Sequence, residues 1–418
     1  MRSVLIRCLI VFASLLPSCS ILGQLKGSKP WGQAQYYYFK SPSGGKIYCT
    51  IDTRSKTARI GGYYDGCRIG DNGHIGTWGK ERRQDVKGNI TLPERVEVRR
   101  SFENRDEDYS VGFFTLTGLD SNAFINNDDL ISITLPSSII NIKENAFNGC
   151  KNLITINFSS NTKYVKQGFV SDCKRLKAIN ITDGTGTGFH SFDGILCHNG
   201  VTYYCPANYT GTVRIPADIK GIGKESFREC EQLSEVIVGN GVQNIEEKAF
   251  ENCTLLSKLV IPGNVQKISS NAFQGCTLLS NVSFGDGISE IGTGAFSNCI
   301  SLKEVILPKG LRSLSNEAFK SCLALEHLVI PEGIGYIGTE TFAFCTSLRE
   351  VKLPNSVEEI SEKAFMGCSA LEKVTLGPNV KTIYRYAFFS CTNLESINVP
   401  KEATVYDETF MECNKLSR

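Results

Sequence analysis

Apolar residues recur at fixed offsets along most of this chain, and the phrase Ala-Phe-x-x-Cys-x-x-Leu marks each return. One copy runs through Ala272, Phe273, Cys276 and Leu279. A run of cysteines keeps a spacing of 23 residues without a slip: Cys230, Cys253, Cys276, Cys299, Cys322, Cys345, Cys368 and Cys391. A fixed period of this length predicts a solenoid of stacked coils, which offers a long surface in place of one deep pocket.

Each repeat contains a segment with the pattern of a short strand. Leu279, Val282 and Phe284 end in a period-2 alternation, which is typical of a strand with one buried face. A Pro or Gly often follows, as at Pro262, and Pro ends a strand because it has no N–H for the ladder. The Ala-Phe-x-x-Cys segment is interpreted as one helical turn. The predicted fold class is an α/β repeat solenoid, with a short parallel strand and a helical turn in each 23-residue repeat.

The strand segment matches the signature of leucine-rich repeats. It is seen at Leu256-x-x-Leu259-x-Ile261, with the cysteine placed before the strand. This variant resembles the BspA-type (treponemal-type) leucine-rich repeat family over residues 115–418. The resemblance implies a scaffold of about twelve coils and a cell-surface or secreted protein with a role in adhesion or interaction.

The 23-residue period is interrupted by an insertion at about residues 183–212. Asn199 and Gly200 lie between two apolar runs, a strong indication of a β-hairpin. In that hairpin Cys197 would face Thr202. The insertion is interpreted as an elaborated coil and as the segment most apt to protrude from the solenoid.

Residues 24–114 do not follow the repeat and are predicted to form a β-rich N-terminal cap that shields the first coil. This region is rich in aromatic residues: Tyr36, Tyr37, Tyr38, Phe39, Tyr48, Tyr63 and Tyr64. Packing inside the cap is the first interpretation of these rings. A platform for carbohydrate or peptide is the alternative.

Residues 1–23 have the pattern of a secretory signal peptide, with an early Arg2 and an apolar run. The sequence that ends at Cys19 resembles a bacterial lipoprotein box, which makes Cys19 a candidate for lipidation. Cleavage after Ser20 or Gly23 fits about as well. No second apolar run is long enough to span a membrane. The protein is therefore expected to be exported, and either secreted or held at the cell surface as an outer-membrane lipoprotein.

Charge and cysteine content narrow the choice of partners. With 45 Lys and Arg against 43 Asp and Glu, the chain gives no electrostatic reason to expect nucleic acid as its main partner. The 17 cysteines of an exported chain would ordinarily suggest disulfides. The periodic ones are instead predicted to form a ladder of small buried side chains that all point into the core. A bridge between Cys49 and Cys67 stays an open alternative.

The sequence contains no convincing arrangement of catalytic or metal-binding residues. None of its 4 histidines lies in a metal-ligand spacing, and the glycine-rich residues 184–188 lack the strand-to-helix setting of a phosphate loop. Cys67 and His74 lack a scaffold that would position them as nucleophile and base. We therefore expect no enzyme activity, no metal and no cofactor.

The outward positions of the predicted strands form two rows that run along the solenoid. The charged row consists of Glu235, Lys258, Asn281, Glu304, His327, Glu350, Lys373 and Ser396. The aliphatic row consists of Ile237, Val260, Ser283, Ile306, Val329, Lys352, Thr375 and Asn398. An exposed apolar patch rimmed by charges often marks an interaction site, although β-branched residues also favour strands for their own sake.

These rows give the candidate binding residues. They are Ile237, Val260, Ile306, Val329 and Lys352 of the aliphatic row, with Glu304, His327 and Glu350 of the charged row. The predicted function is recognition of an extracellular or host protein through this strand-lined face. The alternatives are a polysaccharide-binding envelope component that uses the aromatic cap, and a structural envelope spacer.

Overall fold

The computed structural model describes residues 35–61, 67–69, 75–77, 84–102, 105–183 and 188–417. The predicted signal peptide, the lipidation candidate Cys19 and the side chains of Tyr63, Tyr64 and His74 lie outside the described residues. Within them the chain forms a β-solenoid of about twelve coils behind an N-terminal cap.

Most of the cap is built from strands that precede the coils. Their bounds are β1 (Gln35–Lys40), β2 (Lys46–Asp52), β3 (Thr57–Ile60), β4 (Cys67–Ile69), β5 (Ile75–Thr77), β7 (Arg95–Phe102) and β8 (Arg105–Leu119). Strands β1, β2, β3, β8 and β7 pair in that order, and β7 pairs again with β1, so the five strands close into a ring. Phe39, Ile47, Val98 and Phe114 fill its interior and are buried.

Each coil contributes one strand to a row that we call the strand face. These strands are β6 (Gly88–Thr91), β9 (Leu130–Thr134), β11 (Thr155–Phe158), β13 (Ala178–Ile181), β17 (Gly211–Arg214), β19 (Leu233–Ile237), β21 (Lys258–Val260), β23 (Asn281–Ser283), β25 (Glu304–Ile306), β27 (His327–Val329), β29 (Glu350–Lys352), β31 (Lys373–Thr375) and β33 (Ser396–Ile397). Neighbours pair in parallel, because the chain passes in the same direction on every coil.

A second row of two-residue strands lies elsewhere on each coil, and we call it the back row. It consists of β10 (Asn141–Ile142), β12 (Tyr164–Val165), β18 (Gly221–Ile222), β20 (Asn244–Ile245), β22 (Lys267–Ile268), β24 (Glu290–Ile291), β26 (Ser313–Leu314), β28 (Tyr336–Ile337), β30 (Glu359–Ile360), β32 (Thr382–Ile383) and β34 (Thr404–Val405). The cap strand β8 continues into this row by pairing with β10, which joins the cap to the first coils.

The predicted helical turn at Ala-Phe-x-x-Cys was wrong, since the described residues contain strands and turns but no helix. In the Cys276 repeat, Asn271 has φ 56° and Gly275 has φ 73°. Left-handed residues at that interval interrupt any right-handed helix. The N–H of Phe273 donates to the carbonyl oxygen of Ala295 on the next coil, at 2.8 Å, instead of to its own segment. The segment is therefore a series of tight turns that hydrogen-bonds from coil to coil.

The repeated Phe and Cys side chains stack along the axis of the solenoid. The rings of Phe250 and Phe273 have centroids 5.2 Å apart and lie within 5° of parallel. The Cys276 thiol donates to the carbonyl oxygen of Phe250 on the preceding coil at 3.3 Å, and the same contact recurs at Cys299 and Cys322. The repeat cysteines are buried free thiols, as the periodicity predicted, and Cys49 is also a buried free thiol.

The inserted segment adds three strands to the back row: β14 (Phe189–Phe192), β15 (Ile195–His198) and β16 (Val201–Tyr204). Cys197 pairs with Thr202 across the Asn199–Gly200 turn, as expected. The segment does not protrude, because β16 pairs in parallel with β18 and Ile195, Leu196 and Cys197 are buried. The turn residues have positive φ, and the apolar side chains that flank them fill the core in place of an ordinary coil.

Candidate binding face

The strand pairing aligns the two predicted rows along the solenoid. Lys258 pairs with Asn281 and Glu304 pairs with His327, so members of the charged row are neighbours. In the aliphatic row, Ile237 pairs with Val260. Partners in a parallel register carry their side chains on the same side of the sheet, about 4.8 Å apart. Each row is therefore continuous over the coils that share one sheet.

The four aliphatic candidates are exposed although they lie beside fully buried residues. The exposed fractions are 37% for Ile237, 49% for Val260, 54% for Ile306 and 53% for Val329. Leu259, between Lys258 and Val260, is buried in the core. The alternation of strand side chains therefore holds these aliphatic groups in solvent on a rigid sheet.

A second apolar row lies in the turns that precede these strands, and the sequence reasoning missed it. Its members are Leu255, Leu278, Ile300 and Leu323, which are 40%, 48%, 40% and 40% exposed. They follow the repeat cysteine by two residues (Leu255, Leu278) or one residue (Ile300, Leu323) and precede the strand. The sequence indicated this row by a large aliphatic residue one or two positions after the repeat cysteine in four successive repeats.

The charged row between these two apolar rows is solvated. Lys373 pairs with Glu350 at 3.1 Å, with both side chains more than half exposed. Glu235 accepts a hydrogen bond from Thr212 at 3.0 Å. Exposed pairs of this kind contribute little to stability and serve solubility and partner selection.

The structure does not place all candidate residues in one sheet. Val260, Ile306 and Val329 lie in the six-stranded sheet β17–β19–β21–β23–β25–β27, whereas Glu350 and Lys352 begin the three-stranded sheet β29–β31–β33. The back row is divided at the same place, between β26 and β28. The apolar part of the candidate site is therefore a single sheet, and Glu350 and Lys352 lie across a discontinuity from it.

Four of the seven aromatic residues considered as a platform have described side chains, and these are buried or half-buried. Tyr38 and Phe39 are buried, and Tyr37 and Tyr48 are half-buried. The Tyr38 hydroxyl donates to Asp108, and this hydrogen bond lowers the pKa of the Asp108 carboxyl. These four rings pack within the cap, whereas the side chains of Tyr36, Tyr63 and Tyr64 lie outside the described residues.

Burial holds the repeat thiols in their protonated form. Burial raises the pKa of Cys276, Cys322 and Cys368 to about 12, so these thiols stay protonated at neutral pH. Among the described residues, no group of three or more His, Cys, Asp or Glu side chains is placed to hold a metal ion. In the same part of the chain, no helix is long and apolar enough to cross a membrane.

Comparison with protein families identifies the repeat. The model of the BspA type leucine rich repeat region matches residues 89–195, 201–326 and 312–418, with six copies. The chain belongs to the BspA-type leucine-rich repeat family. This BspA-type protein begins its match within the cap, at the first strand of the strand face, so β6 belongs to the repeat architecture.

Several solved structures are similar to this BspA-type protein. A leucine-rich cell surface protein from Faecalibacterium prausnitzii is 22% identical, with 86% of this chain and 94% of that chain covered and a TM-score of 0.49. A leucine-rich repeat protein from Bacteroides ovatus is 20% identical, with 89% and 97% covered and a TM-score of 0.49. The pneumococcal vaccine antigen PcpA is 19% identical, with 91% and 92% covered and a TM-score of 0.47. No curated protein matches the chain.

Proposed function

We propose that this BspA-type protein is an exported surface or secreted protein that binds a protein ligand, without covalent chemistry, through its strand face. The observation that carries the proposal is the pair of exposed apolar rows on either side of the charged row. An apolar surface with polar residues among it is the composition of a protein-binding patch.

The architecture favours binding because it supplies a rigid surface. The strand-face backbone is fixed by pairing to both neighbouring coils, as for β21 between β19 and β23. Side chains held on such a sheet lose little conformational entropy when a partner docks. The β-branched Val260, Ile306 and Val329 have few rotamers to lose, which lowers that cost further.

The direct test is capture of ligands by the full-length chain from serum, extracellular-matrix and glycan extracts. The captured protein is then titrated against a variant with Ile237, Val260, Ile306 and Val329 all changed to Ser. We expect its affinity to fall about a thousandfold, since each half-exposed aliphatic side chain loses about 1 kcal/mol of apolar burial. A second variant with Ser at Leu255, Leu278, Ile300 and Leu323 tests the other row.

A matched control changes exposed apolar residues that lie away from the strand face. Ile140, Val405 and Met411 are 42%, 39% and 49% exposed, and their replacement by Ser should leave the affinity unchanged. Equal affinity of the parent and the strand-face variants would refute the strand face as the binding site. If no protein ligand binds the parent, the chain is better explained as a structural spacer.

A further inference from the structure

The ring of strands in the cap has the topology of a known binding barrel. Four of its five pairings are antiparallel, and only β3 with β8 is parallel. Around the ring the strands follow the order β1, β2, β3, β8 and β7. Numbered by their order in the chain, these are the first, second, third, fifth and fourth strands of the ring. This order and these orientations are those of the oligonucleotide- and oligosaccharide-binding barrel, which binds polymers on the face of its second and third strands and on adjoining loops. Strands β7 and β8 are the fourth and fifth of the ring, so a site on them has to be recognised by its side chains.

The outer surface of β7 and β8 carries an exposed aromatic ring beside cationic side chains. Phe113 is 58% exposed, while the adjacent Phe114 is fully buried in the barrel. The Arg95 guanidinium lies 5.8 Å from the centroid of the Phe113 ring. Glu97 pairs with Phe113 across the two strands, and Arg99 lies 3.9 Å from Glu97. An exposed aromatic ring beside a guanidinium group suits a ligand that has both a flat apolar face and a negative charge.

The charge of the chain is divided between the cap and the solenoid. Residues 24–119 contain 16 Lys and Arg against 11 Asp and Glu, a net charge of +5. Residues 120–418 contain 27 against 32, a net charge of −5. The near-neutral total thus conceals a basic cap on an acidic solenoid. An anionic polymer is therefore attracted to the cap and repelled by the solenoid at long range, while β7 and β8 themselves are balanced, with 4 Arg against 4 Asp and Glu.

We propose that the outer surface of β7 and β8 binds an acidic polysaccharide. A sugar ring stacks on Phe113, and a carboxylate or sulfate of the polymer is held by Arg95 and Arg99. This site is separate from the strand face and goes beyond the protein ligand proposed there.

The arrangement of rings favours a polysaccharide over single-stranded nucleic acid. Nucleic acid is bound by successive aromatic side chains along a basic groove. On β8 the next exposed ring is Tyr109, and the strand is interrupted between the two rings at Gly112, which has φ 112° and lies at a shift of register. One isolated ring with flanking arginines suits a single stacked sugar and its acidic group.

The test measures binding of the full-length chain to polygalacturonate, which carries carboxylates, and to heparin, which also carries sulfates. Neutral dextran and poly(dT) are measured in parallel, each at low and at physiological ionic strength. We expect both acidic polysaccharides to bind and dextran not to bind, with affinity falling as salt rises. Phe113→Leu and Arg95→Gln should each weaken binding about tenfold, through loss of stacking and of charge.

The controls are an equally exposed ring and a lysine on the solenoid. Tyr164 on β12 is 67% exposed, so Tyr164→Leu matches Phe113→Leu, and Lys174→Gln matches Arg95→Gln. These variants and the four-serine strand-face variant should bind polysaccharide as the parent does. Because Phe113 is exposed, Phe113→Leu should keep the parental urea midpoint, which verifies folding.

Three results would overturn the proposal. The first is that neither acidic polysaccharide binds. The second is that Phe113→Leu, folded by its urea midpoint, binds as tightly as Tyr164→Leu. The third is that poly(dT) binds more tightly than either polysaccharide.

Discussion

The repeat cysteine acts as a small apolar side chain that can also donate a hydrogen bond. Cys276 has no exposed surface, and its thiol contacts the Phe250 carbonyl oxygen of the preceding coil. Alanine would fill less of the space, and serine would bury a stronger polar group at a higher desolvation cost. A thiol therefore suits this position, which explains why the ladder needs no disulfide.

One of the described cysteines departs from this environment and should be the first of them to react. Cys413 is half-buried, and a hydrogen bond from the Cys391 thiol holds the pKa of Cys413 below its ordinary value, against the opposing effect of burial. A lower pKa gives more thiolate at neutral pH, and thiolate is the reactive form. Among the described cysteines, we expect iodoacetamide to modify Cys413 before Cys276 and Cys322, as measured by peptide mass spectrometry of the folded chain.

Two comparisons make this result specific. The variant Cys413→Ser should show no early modification in that peptide, and the parent in urea should be modified at all cysteines alike. Modification of Cys276 at the rate of Cys413 in the folded chain would contradict the burial of the ladder.

At the scale of elements, an ion-paired carboxylate joins the cap to the first coil. Asp120 follows β8 and contacts Arg59 of β3 at 2.9 Å and Lys143, beyond β10, at 2.8 Å. Burial alone would raise the pKa of Asp120, but the hydrogen bonds from Arg59 and Lys143 outweigh it and lower that pKa. The charged form is therefore favoured by folding.

We expect Asp120→Asn to lower the free energy of unfolding by about 2 kcal/mol at neutral pH, since charged hydrogen bonds of a part-buried group are lost. A lowered folded-state pKa gives stability above the unfolded pKa of about 3.9, and this stability is lost as the pH falls through the folded pKa. Urea titrations of the parent and the variant should therefore converge in acid. The exposed pair of Lys224 and Glu247 is the control, and Glu247→Gln should leave the free energy of unfolding nearly unchanged. A constant difference at all pH values would argue against the ion pair as the cause.

The spacing of apolar residues predicted the strands. It did not predict the turns, which depend on positive φ angles, or the closure of the cap ring, which depends on pairing between strands far apart in sequence. The strand register follows from period-2 burial, as at Leu259 between Lys258 and Val260. Ala-Phe-x-x-Cys has helical spacing too, but its left-handed residues leave no trace in the hydrophobic pattern. Closure of the cap ring depends on β7 meeting β1, a pairing of residues far apart in sequence. The outward row that includes Leu255 and Leu278 lies in the turns before the strands, so the period-2 signature of the strands does not include it.

The left-handed position before the repeat cysteine gives a direct test of the turn. Ser321 occupies it with φ 60°, where other coils have Gly275 and Gly367. A residue with a Cβ is strained there by roughly 1 kcal/mol, and a β-branched one by more. We expect Ser321→Gly to raise the free energy of unfolding by about 1 kcal/mol and Ser321→Val to lower it, measured by urea denaturation. If a helical turn formed here, Gly would destabilise instead, so the sign of the change distinguishes the two structures.

At the scale of the whole molecule, the described residues form two hydrophobic clusters instead of one continuous core. One extends from Phe39 to Leu196 and includes the cap, and the other extends from Ile195 through the remaining coils. The stack of phenylalanines is interrupted at the insertion, where Phe169 meets Tyr204 edge-on with centroids 5.9 Å apart. In a solenoid each coil is stabilised by its neighbours, so a weak junction divides the array into separate cooperative units.

Matched core substitutions on either side of the insertion test this division. Phe124 stacks on Phe147 at 5.3 Å in the first cluster, and Phe296 stacks on Phe319 at 5.3 Å in the second. Each change to Ala should cost about 3–5 kcal/mol, because a buried ring and its packing are lost. By hydrogen exchange, Phe296→Ala should speed exchange of amides in β21 to β27 and leave β9 and β11 as in the parent, whereas Phe124→Ala should do the reverse.

Equal loss of protection in both regions for either variant would show a single cooperative unit, in which a ligand on the strand face would also stabilise the cap. With two units, binding at the strand face and at the cap would be energetically independent.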